Sequence, residues 1–307
     1  MNWQTLPHSR SGLGESPFWH PLEHMLYWVD IPGMKILRSN VFMGTVDVWQ
    51  LAQEPGCIAP ALKGGLVVAL RDGIYRAPQW GEALSLIEPA THDTSTTRFN
   101  DGKCDSRGRL WAGTMFEPRT QYLAELMCLD RRPGFAPSYV CKVDKGTIAN
   151  GLAWSPDERT MYWANTVDHV IWAWDYETHS GALSNRRVFQ QLPPKPAEWA
   201  YGTASAAAYG GRPDGCAVDV EGNYYAAMFE GKRIVKYAPD GRELAVILVP
   251  AQCPTMPCFG GDDLQTLYVT TANHNRSAQE LADQPDAGCV FSLRVDTPGL
   301  PVNFYED

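Results

Sequence analysis

"IANGLAWSPDERTMYWANT", residues Ile148–Thr166, decides the fold. It holds a short apolar run, a turn with Pro and acids, and a second run heavy in aromatic residues. Neither run has the i, i+3, i+4 spacing of an amphipathic helix, and both have the length of strands. The same layout returns in GESPFWHPLEHMLYWVDI (Gly14–Ile31), FNDGKCDSRGRLWAGTM (Phe99–Met115) and RPDGCAVDVEGNYYAAMF (Arg212–Phe229). CFGGDDLQTLYVTTA (Cys258–Ala272) is a weaker copy, and CIAPALKGGLVVALRDGIYRA (Cys57–Ala77) a degenerate one. The copies start roughly 40 to 65 residues apart, the period of a four-stranded propeller blade. Six units fill the 307 residues. The chain is therefore predicted to be all-β, a six-bladed β-propeller with a central channel, with residues 1–307 as one domain. A large β-sandwich would account for the strands but not for the repeat. Residues before about Gly12 are expected to supply a strand that closes the ring with the last blade.

Aligning the repeats on their turns singles out one position. Glu15 lies five residues before His20, Asn100 five before Asp105, Asn150 five before Ser155 and Asp214 five before Asp219. The first strand of a blade lines the channel, so these four residues are expected to converge near the axis. The weaker repeats offer apolar residues at the matching place, near Ile58 and Met256. Two carboxylates meeting in a channel repel, and one is pushed towards its neutral form. A divalent cation removes that cost. Oxygen-only donors suit Ca²⁺, Mg²⁺ or Mn²⁺, and Zn²⁺ also occupies mixed carboxylate and amide sites completed by water. Asn-Gly and Asp-Gly are also ordinary turn formers. Four polar residues at one register, Glu15 among them with no turn preference, favour a site. Arg98 and Arg212 each stand two residues ahead of the Asn or Asp. Arg98 is placed to reach a polar ligand with its planar set of donors, or to make a surface ion pair. Arg212 reads as structural, and Lys103 as either channel-facing or solvated.

Bulk properties exclude several classes. A formal net charge of −9 argues against nucleic acid and is mildly unfavourable for anionic lipid. The N-terminal stretch MNWQTLPHSRSGLGESPFW lacks the basic start and apolar core of a signal peptide, and no run of about 18 apolar residues occurs. A cytoplasmic protein without a membrane partner is expected. The eight cysteines contain no CxxC pair and read as reduced, mostly buried thiols. The seven histidines include no H-E-x-x-H, so a zinc-protease site of that type has no support. G-x-S-x-G is absent, which disfavours an acyl-enzyme route.

The chain resembles the senescence marker protein / gluconolactonase / regucalcin family of six-bladed propellers. The matching pieces are GLGESPFW, RFNDGKCDSRGRLWAGTM, IANGLAWSPD, LSNRRVF, RPDGCAVDVEG, CFGGDD and LADQPDAGCVF, in family order over nearly the whole chain. The resemblance implies metal-dependent hydrolysis of a sugar acid lactone, such as arabinono-, xylono-, galactono- or gluconolactone, to the aldonic acid. It implies Glu15, Asn150 and Asp214 as ligands of one divalent ion. Ca²⁺ comes first, with Zn²⁺, Mn²⁺, Mg²⁺ or Fe²⁺ compatible. It further implies Asp214 as general base, Arg98 and Asn100 as substrate-binding residues, and Asp101 beside them. Glu117 is the one candidate for an acid used after the Gly-Thr-Met run. The alternatives are a non-catalytic calcium-binding regulator, a protein-binding platform, and a phosphotriesterase or aryl-esterase-like propeller. One departure stands out. QQLPPKPAEWAYGTASAAAYGG (190–211) is longer than the family's connection and is expected to form a loop at the channel mouth. Trp199, Tyr201 and Tyr209 would either stack on a sugar or, the favoured reading, pin that loop.

Overall fold

A computed structural model describes residues 2–307. It shows six four-stranded antiparallel sheets arranged as the blades of a propeller. The innermost strands are Gly14–His20, Pro55–Pro60, Thr97–Cys104, Ala149–Trp154, Arg212–Val218 and Pro254–Gly260, in blades one to six. The expected ring closure is present. Gln4–Thr5 pairs with Phe291–Arg294 and becomes the outer strand of blade six. Leu6 N–H donates to Val290 O at 2.8 Å, and Trp3 packs edge-on against Phe291.

The aromatic-rich second strands explain how the blades hold together. Each inner sheet region is covered on both faces by its neighbours, so its strands read as continuous apolar runs rather than alternating ones. Thr160–Asn165, for instance, is buried from Met161 onward. Between blades four and five, Tyr162 and Tyr224 sit 5.1 Å apart by ring centroid, with Phe189 at 4.9 Å from Tyr162. The outermost strands, such as Thr45–Gln50, are largely exposed. Seven of the eight cysteines are buried, Cys141 is exposed, and all are free thiols. Among the described residues no helix is long and apolar enough to cross a membrane.

The turn acids that set the sequence alignment have a structural task of their own. Asp105 accepts backbone N–H groups of Arg107 and Arg109 through Oδ1. Its Oδ2 accepts from Arg109 Nε at 2.6 Å, Trp111 Nε1 at 2.7 Å and the Tyr176 hydroxyl at 2.8 Å. Asp219 repeats the motif in blade five, accepting from the Glu221 and Asn223 backbones and pairing with Lys236. Each acid therefore fixes an inner hairpin and ties it to a side chain of the same or the next blade.

The C-terminal tail crosses the lower end of the channel. Leu300 N–H donates to Val218 O, Asn303 Nδ2 to Cys104 O, and Tyr305 N–H to Pro60 O. The tail thus bonds blades five, three and two, and the Tyr305 side chain is fully buried.

Removing the Asp105 carboxylate leaves the buried Arg109 guanidinium uncompensated. Asp105→Ala is expected to cost about 3–5 kcal/mol in chemical denaturation. The same change at the exposed turn acid Asp263, held by Arg294, costs far less. Equal losses at the two sites would refute this account of the turn acids.

Candidate functional site

The site is built on a defect repeated in every blade. Each inner strand carries one residue more than its neighbour over the interrupted stretch, a bulge in the ladder. Bulges bend a strand and re-aim side chains, here towards the channel. In blade four the bulge includes Gly151 at φ 59°, where a Cβ would come within 2.4 Å of the Tyr224 hydroxyl. Only glycine fits there, which explains the Asn-Gly pair.

The ladder refines the expected alignment. Glu15 and Asn150 are the last paired residues before their bulges, whereas Asn100 and Asp214 are the first residues inside theirs. The four therefore occupy two positions one residue apart. Ile58 lies beyond its bulge and faces the lower channel with Met256.

A chain of hydrogen bonds joins three blades at this level. Arg98 donates from Nη1 to Asn100 Oδ1 at 2.8 Å, and Asn100 Nδ2 donates to Asn150 Oδ1 at 2.9 Å. Asn150 Nδ2 donates to Thr166 Oγ1 at 2.8 Å, and Thr166 donates to Pro213 O at 2.7 Å. Pro213 precedes Asp214. This chain fixes the Asn150 amide with its oxygen towards Asn100, and an amide oxygen has a second lone pair to offer. Thr166 belongs to this network and was not singled out by the sequence. Its only sequence signal is the repeat, since it follows the second strand of the best copy.

The acids at the site are held out of water. Glu15, Asp101 and Asp214 are all buried. Burial lifts the Glu15 carboxyl well above its ordinary range, and the nearby charges of Asp214 and Asp101 lift it further. Asp214 is pushed up to about 8, mainly by burial; Arg212, Arg98 and Arg119 pull it down and Asp101 pushes it up. Burial raises Asp101 too, against the pull of Lys103. Asp101 Oδ2 accepts the Leu152 N–H, while its buried Oδ1 has no partner. The guanidinium groups nearby are engaged elsewhere, Arg98 leaning to Glu117 at 3.8 Å and Arg212 pairing with Glu230 at 2.8 Å. Two buried carboxylates and a fixed amide oxygen are hard oxygen donors of the kind a divalent cation takes. No cluster of three His, Cys, Asp or Glu side chains has metal-binding geometry among the described residues. The Glu15, Asn150 and Asp214 set fits a cation through one amide and two acids.

Two further groups shape the mouth. Glu117 is held by both terminal nitrogens of Arg71, at 3.0 and 3.1 Å, and Arg71 also grips Glu54. Arg71 and Glu54 come from blade two, whose degenerate repeat gave no signal for them. On the other side Glu230, buried, gathers Lys195, Arg212 and Arg276 at 2.8, 2.8 and 3.1 Å. This bears out the structural reading of Arg212.

The long connection ends in a short helix, Ala204–Ala208, and its aromatic residues pin it. Trp199 lies under Lys195 at 4.1 Å and Arg276 at 5.6 Å, and meets Tyr209 edge-on. Tyr209 bonds His169 at 2.6 Å, and the Tyr201 hydroxyl accepts from Gln284.

Below the site the channel widens into a cavity of about 270 Å³ lined by Phe18, Trp19, Trp154, Met256 and Phe259, with the tail across it. Lys103 separates the two ends. Its ammonium, half-buried, donates to Cys216 O at 2.7 Å across the channel.

Comparisons with known proteins agree with this architecture. The chain is 39% identical to a 6-deoxy-6-sulfogluconolactonase of Pseudomonas putida, covering 94% of this chain and 93% of that one. It is 31% identical to a regucalcin of Danio rerio, covering 96% and 95%. Among solved structures, a calcium-binding regucalcin of Agrobacterium tumefaciens superposes with a TM-score of 0.88 at 22% identity, covering 100% of this chain and 98% of the other. Residues 13–273 match the SMP-30/Gluconolactonase/LRE-like region. The chain belongs to the SMP-30/gluconolactonase/LRE-like family.

Proposed function

We propose that the protein hydrolyses a sugar acid lactone to the free aldonic acid at the channel mouth, with a divalent cation held by Glu15, Asn150 and Asp214. The observation that carries this reading is the buried trio of Glu15, Asn150 and Asp214 beside the Arg98–Asn100 pair. Ca²⁺ fits the all-oxygen donors best, and the regucalcin of similar fold is described as calcium-binding. A cation bound there would polarise the lactone carbonyl and lower the pKa of an adjacent water.

The residues of the chain supply the rest. Asp214 accepts a proton from the attacking water. The water oxygen bonds to the carbonyl carbon, the bond to the ring oxygen breaks, and that oxygen leaves as a hydroxyl after taking a proton. Atoms balance as lactone plus water giving acid. Burial pushes Asp214 up to about 8, away from the carboxylate form that a base needs. A cation held by Glu15, Asn150 and Asp214 would favour the carboxylate form. Arg98, fixed by Asn100 and Met115, orients ring hydroxyls, as does Asn100. Glu117, tied to Arg71, borders the substrate region, and Asp101 acts from beneath. The Arg98–Asn100 pair also distinguishes this reading from a calcium-binding regulator, which needs no donors aimed beside its ion.

Proton release across a panel of pentono- and hexonolactones tests the activity. Exhaustive chelation is expected to abolish it, and added Ca²⁺, Zn²⁺ or Mn²⁺ to restore it. Asp214→Asn is expected to lower kcat by about 10²-fold or more with the cation still bound. Activity that survives chelation, or full turnover by Asp214→Asn, overturns the assignment.

The electrostatics give a second test. In the cation-free protein the folded state holds a proton on Asp214 that the unfolded chain has lost between the ordinary carboxylate range and about pH 8. This contribution to stability therefore falls as pH rises through that window. A divalent cation cancels it and displaces the proton. The rise in Tm on adding the cation is expected to be larger at pH 8 than at pH 5.5, with proton release detectable by calorimetry in buffers of different ionisation enthalpy. An increment independent of pH would contradict it.

A further inference from the structure

One guanidinium at the channel mouth is fully committed. Arg71 stands in the tight turn between Leu66–Leu70 and Gly73–Ala77, the second and third strands of blade two. A guanidinium has five N–H donors, and here each faces an acceptor. Nε donates to Glu54 Oε2 at 3.1 Å, and Nη2 to Glu54 Oε1 at 2.9 Å and Glu117 Oε1 at 3.1 Å. Nη1 donates to Glu117 Oε2 and to the Thr94 carbonyl, both at 3.0 Å. The turn itself is held, since the His92 ring bonds Arg71 O and Asp72 accepts from Gln53 and the Tyr75 hydroxyl. Glu117 comes from blade three, where its N–H donates to Thr96 O at 2.9 Å. Its Oε1 lies 3.8 Å from Arg98 Nε, and Arg98 donates to Asn100. Isolated exposed ion pairs contribute little, but paired donors shared by two carboxylates make a fixed clamp.

Arg71 has no donor left for a ligand, so any part it takes runs through Glu117. Each Glu117 oxygen accepts from Arg71 and keeps a further lone pair. The Glu117 side chain is 37% exposed beside the buried Arg98, so an entering molecule can reach it. We propose that Arg71 is a specificity-determining positioning residue. It holds Glu117 so that the carboxylate accepts a ring hydroxyl of the lactone, beside the hydroxyls that Arg98 and Asn100 orient. The inference rests on the lactone-hydrolase reading and adds a residue to it. A carboxylate free to swing accepts any hydroxyl within reach. One clamped on two nitrogens accepts only from the directions its open lone pairs face. A site built to meet a hydroxyl discriminates strongly against a substrate that lacks it there. Blade two gives no ligand to the proposed cation, so Arg71 acts on the choice of substrate and has no part in the proton transfer.

The test uses the cation-loaded protein, the lactone it hydrolyses best and the ring epimers of that lactone. Arg71→Met keeps the stem and removes the clamp. It is expected to raise KM for the preferred lactone about tenfold, the worth of one hydrogen bond to a charged acceptor, with kcat kept within about threefold. The preference over the poorest epimer is expected to narrow by a similar factor. Arg71→Lys restores only part of it, because an ammonium cannot present paired donors to two carboxylates. Glu117→Gln tests the route. Added to Arg71→Met, it is expected to change KM little further, since the two residues act as one unit. Fully multiplicative losses in the double variant overturn the inference, as does an unchanged KM and epimer preference in Arg71→Met. A fall in Tm with KM and preference kept marks Arg71 as a brace between blades two and three, and also overturns it. These outcomes leave the lactonase reading standing. If the wild type hydrolyses no lactone with any cation, that reading itself falls, and the role of Arg71 with it.

Discussion

Three carboxylates, Glu15, Asp101 and Asp214, are held out of water within one another's field. Burial pushes each of them up, towards the protonated form. The blades relieve this repulsion only in part. Arg98 and Arg212 pull Asp214 down from a distance, while their guanidinium groups are held by Asn100 and Glu230. The scaffold therefore leaves the acids only partly compensated, and the rigid ring of inner hairpins sustains that arrangement. Hairpins fixed by turn acids such as Asp105 and Asp219, a ring closed by Gln4–Thr5, and a tail tied to three blades all resist the relaxation that would let the acids separate.

The repeat was legible because the blades bury the same kinds of residue in the same order. The turns that aligned it, around Asp105, Ser155 and Asp219, are hydrogen-bonded structures with strict residue needs, so they survive in the sequence. The convergence of Glu15, Asn100, Asn150 and Asp214 followed from that alignment, although their offset by one residue did not. A bulge leaves no compositional mark, because it is a matter of backbone pairing. Lys103 shows the same limit. Its sequence neighbours suggest a solvated turn, and only the channel geometry turns it towards Cys216 O. Arg71, Glu54 and Glu230 were illegible for a different reason. They act across blades from loops with no repeat, so nothing local distinguishes them from surface charges.

The tail across the lower end of the channel has a consequence for turnover. With Leu300 to Asn303 over the lower cavity and Lys103 bridging the channel above it, the upper mouth is left as the open door. Whatever enters must leave the way it came. Opening a lactone adds a carboxylate, so the departing molecule carries one more negative charge than the arriving one. It must then pass the guanidinium groups of Arg71, Arg98 and Arg212 at the mouth. The acid is thus held by charges that a neutral lactone does not feel, and ionic strength acts on exit more than on entry.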